Sequence, residues 1–439
     1  MHVVTECHIL PNFTQTCPAR GVKKSMNRER LLAQFLRFVQ IDTTAVDGAT
    51  RYPSSPGQLE LGKLLVDDLL AMGIRDAIQD EHGIVMATIP SKRDRVVPTI
   101  VFNAHLDTSP ETTGAGVRPQ VIEAYAGGDI VLPADQSQVI RVSENPALEQ
   151  LIGRTLITTD GTTLLGGDDK AGVAVIMELA ALLCENPELP HGPVRILFTC
   201  DEEIGHGVDH VDLQRVAATA GYTLDGGGAN DLDVETFSAD VAVVRVQGVN
   251  IHPSIGKDRM VNAVRAAAEF VHRLPRDELA PECTDGREGF LHPYVVEGGV
   301  AEVTMRILLR DFDTVQLSSQ ADLLRRAAAA VEREIEGVQI AIDVQHQYRN
   351  MAEGLDSEPR AVQFAAEAHR RLGRDPRLSI IRGGTDGSLL TALGLPTPNL
   401  SSGQHNPHSP LEWACLDEMC GAVEVITELT RIWAEVEPE

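Results

Sequence analysis

Long apolar stretches are missing from this sequence: no run approaches the roughly 18 uninterrupted apolar residues that a membrane-spanning helix needs. No membrane partner is therefore expected. The opening stretch, Met1 to Lys24, also lacks the basic start and apolar segment of a secretory leader. Cysteines are few and unpaired in pattern: Cys7, Cys17, Cys184, Cys200, Cys283, Cys415 and Cys420, with no Cys-x-x-Cys. An odd, scattered set argues against both a disulfide framework and a thiolate zinc site. These absences together point to the cytoplasm. Positive charge is also in deficit, with 38 Lys and Arg against 64 Asp and Glu and a formal net charge of -26. Nucleic acid, which wants a basic surface, is thereby an unexpected partner. A Gly-x-Gly-x-x-Gly after an early strand is missing too, which removes a dinucleotide-binding oxidoreductase from consideration.

What is present fits a soluble globular chain. Its 439 residues exceed what one hydrophobic core usually takes, so two domains are expected. Residues 1–25 have no helical period and include Pro11 and Pro18; they read as a disordered extension, with Met26 as an alternative start. Asn27 can then cap a helix carrying Leu31, Leu32, Phe35, Leu36 and Val39 at helical spacing. A second amphipathic helix follows Pro56. Short β-branched runs, Ile84–Ile89 and Thr99–Asn103, come next, then a helical pattern from Asp169 and a buried strand at Val194–Phe198. Alternating helices and continuous apolar strands predict an α/β domain with a mostly parallel sheet. From Ser238 the pattern changes to a β-α-β-β-α-β order, the mark of a smaller α+β domain inserted in the first. The expected boundaries are 26–237 and 349–439 for the main domain and 238–348 for the insert.

Five polar segments directly follow apolar strands, where chemistry gathers in such sheets. They are Asn103-Ala-His105-Leu-Asp107, Leu165-Gly-Gly-Asp168-Asp169-Lys170, Asp201-Glu202-Glu203, Leu224-Asp225-Gly-Gly-Gly, and Gly403-Gln-His405-Asn-Pro-His408. Imidazole and carboxylate donors without thiolate suit zinc, cobalt or manganese in a hydrolytic site. A pair of ions needs one shared carboxylate plus terminal ligands on each. At period two on an extended segment, His105 and Asp107 point the same way, so Asp107 can hold one ring nitrogen while the other meets metal. Glu202 and Glu203, adjacent on an extended chain, face apart; one can bind metal and the other serve as base. Each segment alone has a bland reading: a surface hydrogen bond for His-x-Asp, an N-cap for Asp168-Asp169, a solvated strand end for Glu202-Glu203. Their convergence favours the metal centre.

Taken in order, these segments resemble the peptidase T branch of the M20 metallopeptidase family, from about Met26 to the C-terminus. Leu156-Ile-Thr-Thr-Asp-Gly161, Tyr222-Thr-Leu-Asp-Gly-Gly-Gly228, Arg310-Asp-Phe-Asp313 and Arg382-Gly-Gly-Thr-Asp-Gly387 add to the match. The resemblance implies a zinc-peptidase-like catalytic domain with an inserted ferredoxin-like lid, which is also the surface through which a homodimer would form. It implies two divalent metal ions, zinc being the expected one. Asp168 would bridge them; His105 and Asp225 would complete one site, Glu203 and His408 the other. Glu202 would be the general base and Asp107 would orient His105. His252, Arg310 and the Gly383-Gly384 turn resemble substrate-binding elements. Family spacing selects His408 over His405, and places no ligand at His206 or His210. The implied activity is an aminopeptidase releasing the N-terminal residue of short peptides, tripeptides above all. Other hydrolases of that family (dipeptidase, carboxypeptidase, N-acyl amino acid deacylase) share the metal core and stay open here. So does a peptide-binding protein without catalysis, although no ligand or base is missing.

Overall fold

A computed structural model of the chain describes residues 25–437. The expectations for residues 1–24, including the choice between Met1 and Met26 as start, lie outside the described residues. Asn27 caps the Arg28–Val39 helix through a bond from the Arg30 amide, and Pro56 opens the Pro56–Ala71 helix, where its missing N–H costs nothing.

Among the described residues, the larger sheet has eleven strands. Its centre is four neighbouring parallel strands: Val194–Thr199, Ile100–His105, Ala220–Gly227 and Asn399–His405. The flanks are antiparallel, with Val85–Ile89 on one side and Trp413–Cys415, then Leu156–Thr158, on the other. The expected parallel sheet is thus the middle of a mixed one. Parallel neighbours need long crossovers, whereas a short loop such as 406–412 can only turn the chain back on itself. Against the sheet packs the Gly167–Glu185 helix, almost wholly buried from Ala171 to Leu183. The helices Arg28–Val39 and Leu416–Glu435 cover it in turn. Glu178 lies in the middle of that apolar helix, and the Arg30 guanidinium meets it at 2.6 Å.

Residues 238–348 form a separate four-stranded antiparallel sheet. Its spatial order is Phe290–Gly298, Glu302–Asp311, Ser238–Gln247, Gln339–Tyr348. The helices Ala263–His272 and Thr314–Glu334 pack over one face around Val244, Phe270, Met305 and Leu324. Phe290–Gly298 had no clear sequence signal. It is an edge strand with Leu291 alone buried, and Pro293 is tolerated there because no partner needs its N–H. The opposite face of this sheet looks across a cleft of about 2940 Å³ toward the C-terminal ends of the parallel strands.

The chain crosses between the two units twice, at one place. Ser238 lies beside Asn350, whose N–H donates to the Ser238 hydroxyl at 2.9 Å. The Asn350 side chain also bonds Thr236 N–H, Glu235 and the Phe312 carbonyl. Arg382 reaches across as well, donating to the Gly286 carbonyl and the Thr284 hydroxyl, each at 3.0 Å.

Candidate metal centre

Each of the four parallel strands delivers a polar side chain to the cleft. His105 ends its strand, Asp225 lies near the end of the next, and Glu203 and His408 follow Thr199 and His405 within four residues. Asp168 comes from the first turn of the Gly167–Glu185 helix, where Asp168 and Asp169 have non-helical backbone angles.

These side chains meet. The Asp168 carboxylate stands between two imidazoles, Oδ1 lying 3.0 Å from His105 Nε2 and Oδ2 3.3 Å from His408 Nε2. Glu203 Oε2 is 2.9 Å from His408 Nε2, and Asp225 Oδ1 is 3.9 Å from His105 Nε2. Glu202 Oε2 reaches to 4.0 Å from His105 Nε2. On its far side, His105 Nδ1 faces Asp107, 3.3 Å from Oδ1. The same Asp107 carboxylate accepts the N–H groups of Glu202 at 3.1 Å and Glu203 at 3.0 Å.

Glu202 and Glu203 are not on an extended strand but in a short 3₁₀ turn, Glu202–Ile204. They part because successive residues of such a turn point about 120° apart.

The electrostatics are those of too many carboxylates in too little water. Burial, then the neighbouring charge of Asp168, push the Glu203 carboxyl up to about 7. Burial raises Glu202 and Asp225 well above the ordinary range as well, with repulsion from surrounding carboxylates added. Burial opposes the charge of Asp168 too, but hydrogen bonds from His105 and His408 hold it below the usual carboxylate range. The two imidazoles are driven the other way: burial disfavours their charge, yet the carboxylates push His408 up to about 11 and His105 well above its ordinary value. Protons on imidazole stand here where positive charge is demanded.

The donor set therefore fits divalent cations. Glu203 Oε1 is buried without a hydrogen-bond partner among the described residues, an atom that a cation would satisfy. Two triads have donor atoms close enough to share an ion: His105, Asp168 and Glu203, and His105, Asp169 and Asp225. Asp169 is already committed. It is buried, its Oδ2 accepts the His105 N–H at 3.3 Å, and its Oδ1 caps the helix by accepting Gly172 N–H at 3.2 Å. Asp168, which touches both imidazoles, is the better ligand on geometry.

Other predicted residues fall as follows. Arg310, Gly383 and Gly384 line the cleft. Arg310 bonds Gln347 at 2.8 Å and lies over the Tyr348 ring. A side chain at Gly384 would meet that ring at 2.5 Å, so only glycine admits the contact. His252 is exposed, bonded to Ser254 at 2.7 Å, and does not line the cleft. His405 stacks on Trp413 and pairs with Glu418; His206 pairs with Asp209, and His210 stacks on His82. Sequence reasoning missed Glu412, buried, which accepts the N–H groups of Leu165, Gly166 and Asp168 and so anchors the loop before the helix. It also missed Asn399 and Gln404, which bond the Asp225 backbone, and in Gln404's case its carboxylate too. Bonds to backbone groups leave no spacing to read; position four residues past His408 was the one available hint for Glu412.

Comparison with known proteins bears on the family and the fold. The model of peptidase family M20/M25/M40 matches residues 166–431. Peptidase T of Geobacillus thermodenitrificans (strain NG80-2) is 43% identical over 408 residues, 93% of this chain and 99% of that protein. Two solved structures share the fold at lower identity. Aminopeptidase PepT from Bacillus cereus ATCC 10987 is 24% identical with TM-score 0.71, covering 93% of this chain and 100% of that one. A tripeptidase from Staphylococcus aureus is 23% identical with TM-score 0.73, covering 94% and 100%. Fold and site define a metal-dependent peptide hydrolase, and the chain belongs to peptidase family M20/M25/M40. Within it, the chain is a member of the peptidase T family.

Proposed function

We propose that this protein is a two-metal aminopeptidase that releases the N-terminal residue of short peptides, tripeptides above all. One observation carries the reading: a single carboxylate, Asp168, lies between the imidazoles of His105, at the end of one strand, and His408, in the loop after another, with Glu202 beside them. His105, Asp168 and Asp225 would hold one ion, and Asp168, Glu203 and His408 the other, with zinc the expected metal for this N/O set. Such a pair of ions, when bound, supplies Lewis acidity and lowers the pKa of water in the site toward neutral.

The chain's own groups do the rest. Glu202 accepts the proton of the attacking water at its carboxylate and returns it to the departing amine. Asp107 fixes the His105 ring through Nδ1 and, by accepting two amides, fixes the Glu202–Glu203 turn as well. Arg310, from the insert's side of the cleft, and the Gly383-Gly384 turn, from the main domain, hold the peptide. The 238–348 unit acts as a lid that excludes water and limits peptide length. Its outer surface is the proposed dimer contact. Among the described residues no helix is long and apolar enough to cross a membrane, in keeping with the cytoplasm as the proposed location.

The test is one panel: metal content of the purified protein, and release of N-terminal residues from di-, tri- and tetrapeptides, free and N-acylated. Two ions per chain and preferential cleavage of free tripeptides are expected. Preference for dipeptides or N-acylated substrates would instead make it one of the other hydrolases of the family.

A further inference from the structure

The Glu202–Glu203 turn starts from a backbone that side chains rarely adopt. Asp201, the residue before it, has φ 61° and ψ 32°, in the left-handed region. Glycine would sit there freely; an aspartate must be held.

The hold is visible. Asp201 is buried, and its carboxylate accepts three bonds from the start of the Pro56–Ala71 helix: Ser54 N–H at 2.6 Å, the Ser54 hydroxyl at 2.5 Å and the Gln58 amide at 2.6 Å. Gln58 grips the backbone as well, its Oε1 accepting the Asp201 N–H at 3.0 Å. One step earlier, the Tyr52 hydroxyl donates to the Cys200 carbonyl at 2.9 Å. The Gln58 amide is fully buried and bonds the same residue through both of its ends. Across the turn, the next two amides both point at Asp107. A left-handed Asp201 is what lets the chain leave the Val194–Thr199 strand and present two successive N–H groups to one carboxylate.

We infer that Gln58, with Ser54 and Asp201, is a positioning clamp for the Glu202–Glu203 turn, setting both the proton-accepting carboxylate and the ligand carboxylate beside it. This rests on the two-metal reading of the cleft. Gln58 touches neither substrate nor ion; it acts through Asp201.

The experiment compares full-length wild type, Gln58→Leu and Ser54→Ala, each loaded with zinc. The readouts are kcat and KM on trialanine, melting temperature, and zinc retained per chain after dialysis against graded chelator. Expected for Gln58→Leu is a fall in kcat of about tenfold or more with KM within about twofold, and release of one of two zinc ions at about tenfold less chelator. Ser54→Ala should show the same pattern more weakly. A lower melting temperature with kcat and zinc retention as in wild type, in both variants, would reduce the clamp to a purely structural role. Should Gln58→Leu fail to fold, Ser54→Ala decides by the same readouts. Failure of the underlying site reading shows separately, as wild type that neither retains zinc nor cleaves the peptide, and it removes the clamp's function with it.

Discussion

At the scale of single residues, the protein concentrates its cost in a few buried ionisable groups. Glu202 and Glu203 are neighbours with different work: one lies against His408, the other approaches His105 without a close partner there. Glu202→Gln is expected to lower kcat by roughly 10³-fold while metal content stays at wild-type level, since no proposed ligand is lost. Turnover within tenfold of wild type would remove Glu202 from the role of base. Behind the cleft wall, His369 is buried beside Leu224, Leu400, Val425 and Ile426, with Nδ1 unpartnered among the described residues. Burial, then the nearby Arg374 charge, lower its pKa from 6.5 to about 4. The unfolded chain therefore binds this proton first as pH falls. Stability should drop between about pH 6.5 and pH 4, by about 3 kcal/mol, and the loss is complete below that window. His369→Leu should flatten this acid slope in denaturant titrations; an unchanged slope would place its origin elsewhere. The ligand candidates were legible because their side chains come in strand-end motifs. Glu412 and Asn399 were not, because what they hold beside the site is backbone, and any residue type supplies that; Gln58 was not, because it lies 143 residues from the Asp201 it holds.

At the scale of elements, apolar continuity told most of the story. The runs ending at His105 and Thr199 have no polar alternation, as strands covered on both faces must, and both prove to be central and parallel. The flanking strands Leu156–Thr158 and Trp413–Cys415 are only three residues each, too short to show a period. The Gly167–Glu185 helix is apolar all round because sheet and helices enclose it, and this makes Glu178 conspicuous. Arg30 bonds both of its oxygens, at 2.6 and 2.9 Å, and the Asn27 N–H adds a third bond at 2.6 Å. Removing one partner leaves a buried charge uncompensated. Arg30→Met is expected to destabilise the fold by about 3 kcal/mol, and Arg30→Met with Glu178→Met to recover much of that loss. Equal melting temperatures for the single variant and wild type would show that solvent or another cation reaches Glu178.

At the scale of the whole molecule, the insert's order of elements was readable from the change of period near Ser238, whereas its placement over the cleft came from the family resemblance alone. Periodicity says which face of a sheet is apolar, not which neighbour it will look at. Here the helix-free face, with Arg306 and Arg310, looks toward the carboxylate cluster. The two crossings between the units lie side by side, Ala239 paired with Tyr348 in one ladder and Ser238 bonded to Asn350. Topologically, the smaller unit is a bead hung from one knot on an otherwise continuous string. It follows that the string can be cut on both sides of the knot, after Phe237 and before Arg349, and retied with a few glycines without disturbing the eleven-stranded platform. The shortened protein is expected to fold and still take up zinc, yet to lose its discrimination among peptides of different length. Calorimetry and the same peptide series would check it, and a shortened chain that no longer folds would show that the bead also supports the string.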